Sequence, residues 1–168
     1  MGNSGLALLA LALVTLGTTA HRKCQLPGLW QNELGSLMEI HERSKDQELV
    51  GRYLTGVTAT TNCIQQVLLQ GSWHGPARRV LPTFGFIVTW EKFSNSTTAF
   101  VGQCFMDESG QETLRTTWLL WEEVESPKDD WKAIRVGTNV FTRRPNPGPG
   151  HILDIMTPSC ELPPSEAQ

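Results

Sequence analysis

The sequence predicts an all-β domain, an up-and-down barrel or a β-sandwich, on three observations. Short segments alternate apolar and polar residues with the period of two that a strand imposes. Turn residues interrupt these segments at short, regular spacing. No stretch after Ala20 shows helical periodicity longer than a turn. Such a pattern suits either architecture. Closing eight strands into a barrel removes exposed sheet edges and leaves room for one small ligand.

The elements follow in order. Leu29–Leu34 and Leu37–His41 read as two strands joined through Gly35-Ser36, and His41–Glu48 as a charged turn. Leu49–Val57 is the third strand, with Tyr53, Thr55 and Val57 on one face, and it leads into a hydroxyl-rich loop, Thr58–Asn62. Ile64–Leu69 is a short fourth strand, and Gly71–Arg79 a loop. Thr83–Trp90 sets Phe84, Phe86, Val88 and Trp90 opposite Gly85, Ile87 and Thr89. Ser94–Thr98 reads as a second hydroxyl-rich turn, after which Phe100, Gly102 and Cys104 continue an inward face. Glu108–Gln111 is a hairpin turn. Thr113–Glu122 carries Trp118 and Leu120 on one face, with Thr117, Leu119 and Trp121 on the other. Trp131–Arg143 is the eighth strand. Thr117–Trp121 and Ile134–Val140 are apolar on both faces, which predicts an outer surface packed on another copy of the chain.

Flanking the domain, residues 1–20 read as a secretory signal, with an apolar run (Leu6–Leu16) too short to span a bilayer and small residues before a cut ahead of His21. Residues 21–144 form the barrel domain. Residues 145–168 are a Pro- and Gly-rich tail that cannot continue a strand, within which Ile152–Met156 is able to dock on the barrel. The formal net charge of −3 disfavours nucleic acid and anionic membranes as partners. Four widely spaced cysteines in an exported chain point to disulfides rather than metal, and four scattered histidines add no ligand set. No nucleophile elbow or phosphate-cradling loop is present. Asp129-Asp130 and Glu122-Glu123 read as solvated strand-end pairs, so no enzyme is predicted.

What recurs instead is polar groups beside indoles at strand ends. Asn32, Ser36, Tyr53 and Thr55 offer an amide and hydroxyls, and Ser94, Ser96 and Thr98 offer more. Trp90, Phe93, Phe100, Trp118 and Trp131 offer flat apolar walls. Apolar walls with a few placed polar groups are how small-ligand cavities are built.

A resemblance rests on several blocks in order: Trp30-x-Asn32-x-Leu34-Gly35-Ser36, Gly51-x-Tyr53-x-Thr55-x-Val57-Thr58-Ala59-Thr60, Pro82-Thr83-Phe84-Gly85-Phe86, Ser96-Thr97-Thr98-x-Phe100, Gly102-Gln103-Cys104-Phe105, Thr117-Trp118-Leu119-Leu120, Asp129-Asp130-Trp131-Lys132-Ala133 and Asn139-Val140-Phe141-Thr142-Arg143. Together they resemble the avidin family over Cys24 to Arg143. The resemblance implies an eight-stranded antiparallel up-and-down β-barrel, a homotetramer, and non-covalent binding of biotin as a ligand rather than a cofactor. By the same resemblance, Asn32, Ser36 and Tyr53 would hydrogen-bond the ureido oxygen, and Thr55 and Asn139 the ureido N–H groups. Trp90, Phe93, Phe100, Trp118 and Leu120 would wall the ligand. Thr58, Ala59 and Thr60, with Ser94 and Ser96 opposite, would meet its carboxylate. Trp131 would cap a neighbouring subunit's cavity.

Cys24 and Cys104 match the family's disulfide, whereas Cys63 and Cys160 lie outside its pattern. The expectation is that these two bond, tying the tail across the ligand loop; an intersubunit bridge is the alternative. Other departures are one extra residue between Trp90 and Phe93, which turns Phe93 to the opposite face unless a bulge or loop absorbs it, and Thr117 and Thr138 where the family has larger apolar interface residues. Asn95-Ser96-Thr97 is the usable glycosylation sequon. The reading is a secreted, extracellular protein that sequesters biotin. The alternatives are a scaffold of the same fold that has lost its ligand, and lipocalin-like carriage of an apolar molecule, which converging polar residues disfavour.

Overall fold

The computed structural model describes residues 24–43, 47–57, 64–75, 81–90, 94–145, 148 and 151–157. Its strands are β1 (Gly28–Asn32), β2 (Leu37–Arg43), β3 (Glu48–Leu54), β4 (Val67–His74), β5 (Thr83–Thr89), β6 (Ser96–Met106), β7 (Glu112–Glu122) and β8 (Ile134–Arg143). Each pairs antiparallel with the next, and β8 returns to β1 through Trp30 opposite Arg143 and Asn32 opposite Phe141, closing the barrel. Of the two architectures the alternation allowed, the barrel is the one formed.

Period-two alternation decides what fills it. On β5 the buried residues are Phe84, Phe86 and Val88; on β6 they are Ser96, Thr98, Phe100 and Cys104. The outward positions of β7 and β8 include an exposed apolar set, Leu119, Trp121, Ile134, Val136 and Val140.

One end of the barrel is sealed. Trp30 is fully buried, and its indole N–H donates to the Leu26 carbonyl at 2.8 Å. The Arg143 guanidinium lies 4.2 Å from the Trp30 ring centre, donates to the Pro27 and Gln25 carbonyls and pairs with Glu112. A disulfide joins Cys24 to Cys104 at this end, as the resemblance implied, with a Cα–Cα distance of 6.1 Å.

Several boundaries differ from expectation. The first strand stops at Asn32, because Glu33–Ser36 form the turn in which Gly35 takes φ of +82°, a conformation that favours glycine. The charged segment 41–48 is no single turn: β2 runs on to Arg43 and β3 begins at Glu48, their charged side chains facing solvent. The third strand ends at Leu54, since the Thr55 hydroxyl bonds the Val57 backbone and replaces strand pairing. The fourth strand lies later than predicted, at Val67–His74. Its partner β5 needs a strand reaching His74 to pair with Thr83, and Gly71 permits close approach to Gly85. Ser96–Thr98 belong to β6 rather than to a turn, paired from Ser96 opposite Glu122.

The eighth strand starts at Ile134, not Trp131. Ser126 accepts the Lys128 N–H and Pro127 opens a 3-10 turn, so residues 130–133 form one helical turn, α1 (Asp130–Ala133). In the tail, α2 (His151–Ile155) precedes Met156, which is fully buried.

Candidate functional site

The opposite end of the barrel is hollow. A cavity of about 400 Å³ opens there, and its lining includes Asn32, Ser36, Tyr53, Thr55, Trp90, Ser94, Ser96, Phe100, Trp118, Leu120 and Asn139, all anticipated from sequence. Leu34, Val57, Thr98, Glu122 and Arg135 complete the lining. Gly137 makes room for one wall: it faces inward opposite Trp118, and a Cβ there would meet the indole at 2.4 Å.

The Gly35 turn brings Asn32 and Ser36 together. Asn32 Oδ1 accepts the backbone N–H groups of Ser36 (2.8 Å) and Leu34 (3.0 Å). Those two bonds assign the amide, so Asn32 presents its NH₂ donor to the cavity. Ser36 Oγ accepts the Gly56 N–H at 3.0 Å and lies within hydrogen-bonding reach of the Tyr53 phenol. Beyond the Gly56 bond Ser36 keeps its O–H and one lone pair, and the contact with Tyr53 draws on one of these.

Tyr53 is buried among Trp90 and Phe100 (ring centres 5.6 Å away each) and Phe141. Burial pushes its pKa up to about 12, opposed by the Ser36 bond and aided by the charge of Glu33. The phenol thus stays a neutral donor at physiological pH.

Across the cavity Asn139 is held in the opposite sense. Its Nδ2 donates to Glu33 Oε1 at 2.9 Å, while Glu33 Oε2 accepts the Val140 N–H at 3.0 Å. Asn139 therefore presents its carbonyl oxygen. Burial pushes the Glu33 carboxyl upward, but the bonds from Asn139, its own backbone and Val140 hold it below the ordinary carboxylate range. Thr55 Oγ1 donates to the Val57 carbonyl at 2.7 Å, which leaves lone-pair capacity as its offer to a ligand. Trp90 is fixed by its Nε1–H bond to Thr98 Oγ1 at 2.8 Å, and the Ser94 and Ser96 hydroxyls bond each other at 2.6 Å.

Trp131 does not line its own chain's cavity: it sits on α1 with 73% of its surface exposed. Thr58, Ala59, Thr60, Phe93, Cys63 and Cys160 lie outside the described residues. The extra residue before Phe93 falls in the connection between β5 and β6, because Thr89 pairs with Thr97 and the Trp90 N–H bonds the Ser96 carbonyl in regular register. Glu33 and Arg135 were missed as candidate site residues, and Glu122, expected in a solvated strand-end pair, lines the cavity mouth instead. Glu33 carries no local signal, since its partner is 106 residues away and meets it only when β8 closes on β1.

The sequence profile of the Avidin family matches residues 20–144. Avidin of Gallus gallus is 53% identical over 138 residues, which span 82% of this chain and 90% of that protein. Avidin-related protein 1 of the same species is 50% identical over 83% of this chain and 90% of its own length. A solved structure described as a biotin binding protein from chicken superposes with a TM-score of 0.69 at 54% identity, covering 74% of this chain and 99% of that one. With the closed barrel and its hollow end, these matches place the chain in the avidin family.

Proposed function

We propose that the protein binds biotin without covalent attachment or catalysis. The observation that carries this reading is the opposed setting of two amides in one cavity: Asn32 turned to donate, Asn139 turned to accept. A ureido ring presents one carbonyl oxygen flanked by N–H groups. Asn32, Ser36 and Tyr53 offer donors to the oxygen; Asn139 and Thr55 offer acceptors to the two N–H groups. Because each polar group is already held by a second bond, little is spent on ordering at the moment of binding. Trp90, Phe100, Trp118 and Leu120 supply apolar contact for the rest of the ligand.

Several further assignments belong to the same proposal. The ligand loop Thr58–Ala59–Thr60, with Ser94 and Ser96, meets the carboxylate, and Phe93 contributes a wall. The assembly is a homotetramer in which Trp131 caps a neighbour's cavity; the exposure of Trp131 and of the outer apolar face of β7 and β8 supports this. Residues 1–20 direct secretion. Cys63 bonds Cys160. Asn95 carries a glycan, supported by its exposed position just before β6.

Titration with biotin, followed by calorimetry and by Trp fluorescence, tests the central reading. Saturable binding at one ligand per chain, with quenched indole emission, is the expected result. A folded protein giving no heat and a flat fluorescence response would refute it.

A further inference from the structure

Two charged side chains point into the cavity at its mouth. Along β7 the inward series is Thr116, Trp118, Leu120 and Glu122; along β8 it is Asn139, Gly137 and Arg135. Arg135 Nη1 lies 2.9 Å from Glu122 Oε2, and both side chains remain about half exposed. They are the only charged side chains among the described residues lining the cavity. The four residues from Asn139 to Arg135, at about 3.3 Å of rise each, set the pair roughly 13 Å along the strand from the amide end. A ligand whose head lies between Asn32 and Asn139 therefore sends its other end toward this pair.

We propose that Glu122 and Arg135 are specificity-determining residues for the tail of the ligand, an inference that rests on the biotin reading above. Arg135 attracts an anionic tail, and Glu122 offsets that attraction. The paired mouth has no net charge, so it accepts the ligand as a free acid or as a neutral amide, the form in which the tail is joined to an amine. Either residue alone would bias the choice: unpaired Arg135 toward the acid, unpaired Glu122 against it. A purely structural role, a rim staple between β7 and β8, predicts no such bias, because loosening the rim affects both ligands alike.

The experiment compares the intact protein with Glu122→Gln and Arg135→Gln, using biotin and its primary amide in direct competition. Half-exposed charge pairs contribute roughly 0.2–1 kcal/mol. Glu122→Gln should therefore improve the acid relative to the amide by up to about five-fold, and Arg135→Gln should worsen it by a similar factor. Both shifts should shrink at 1 M salt, where the screening length falls to about 3 Å. An acid-to-amide ratio unchanged in both variants, with binding intact, overturns this inference and leaves the biotin reading standing. If the unaltered protein binds neither compound, the biotin reading fails, and this inference with it.

Discussion

The two ends of the barrel are built from the same strands and do opposite things with their polar atoms. On β1, Trp30 and Asn32 are two residues apart and both face inward; on β8, Phe141 and Asn139 are likewise. At the sealed end the indole of Trp30 and the guanidinium of Arg143 are bonded within the chain, and Leu114, Phe141 and Cys104 are fully buried. At the open end each amide is bonded on one side only, and a cavity takes the place of packed side chains. Packing, internal bonding and the disulfide are concentrated at one end, which lets the other hold polar groups half-satisfied for a ligand.

The largest expected effect breaks the sealed end. Replacing both Cys24 and Cys104 with Ser removes a bridge across 80 residues of chain, worth roughly 4–5 kcal/mol in the loop-entropy account. Denaturant titration should show a loss of that order. Trp30→Ala should cost about 3–5 kcal/mol by leaving a cavity. The fraction still folded should bind biotin nearly as before; a large loss of affinity would show that the two ends are coupled.

Next comes Tyr53, where both ends meet. Its folded pKa of about 12 lies above the unfolded value near 10, so its contribution to stability is fully present below pH 10 and is lost as pH rises toward 12. That amounts to about 1.4 kcal/mol per pH unit at most. It is the chain's single Tyr, so absorbance titration reads it directly, and Tyr53→Phe should flatten this part of the pH–stability curve.

Smaller effects sharpen the open end. Asn139→Ala removes an acceptor and should weaken biotin by about 1–3 kcal/mol with little change in stability. Glu33→Gln keeps a hydrogen-bonding side chain but removes the charge that orients Asn139, so its penalty should be smaller than that of Asn139→Ala. Because the Glu33 pKa is lowered in the fold, its support is present at neutral pH and lost as pH falls through that lowered value. Acid titration of binding in the unaltered protein should show a loss there that Glu33→Gln lacks.

Much of the barrel was legible because alternation is a local property. Phe84, Phe86 and Val88, or Trp118 and Leu120, announce their shared face within a few residues. Boundaries were less legible where a side-chain bond or a partner strand overrides local pattern. Thr55 ended a strand by bonding Val57, and the pairing of β5 with β4 drew β4 out to His74. Resemblance supplied most of the site, but no motif marked Glu33 or Arg135, and Glu122 read only as a solvated carboxylate.

Local pattern thus set which residues face in and which face out, along with the turns at Gly35-Ser36 and Glu108–Gln111 and the supply of amides, hydroxyls and indoles. These follow from backbone periodicity and short-range hydrogen bonding. The sealing of one end, the turn of the Asn139 amide and the meeting of Arg135 with Glu122 were settled by the fold. Each depends on strand register and closure, which join groups far apart in the chain and leave no imprint on the residues beside them.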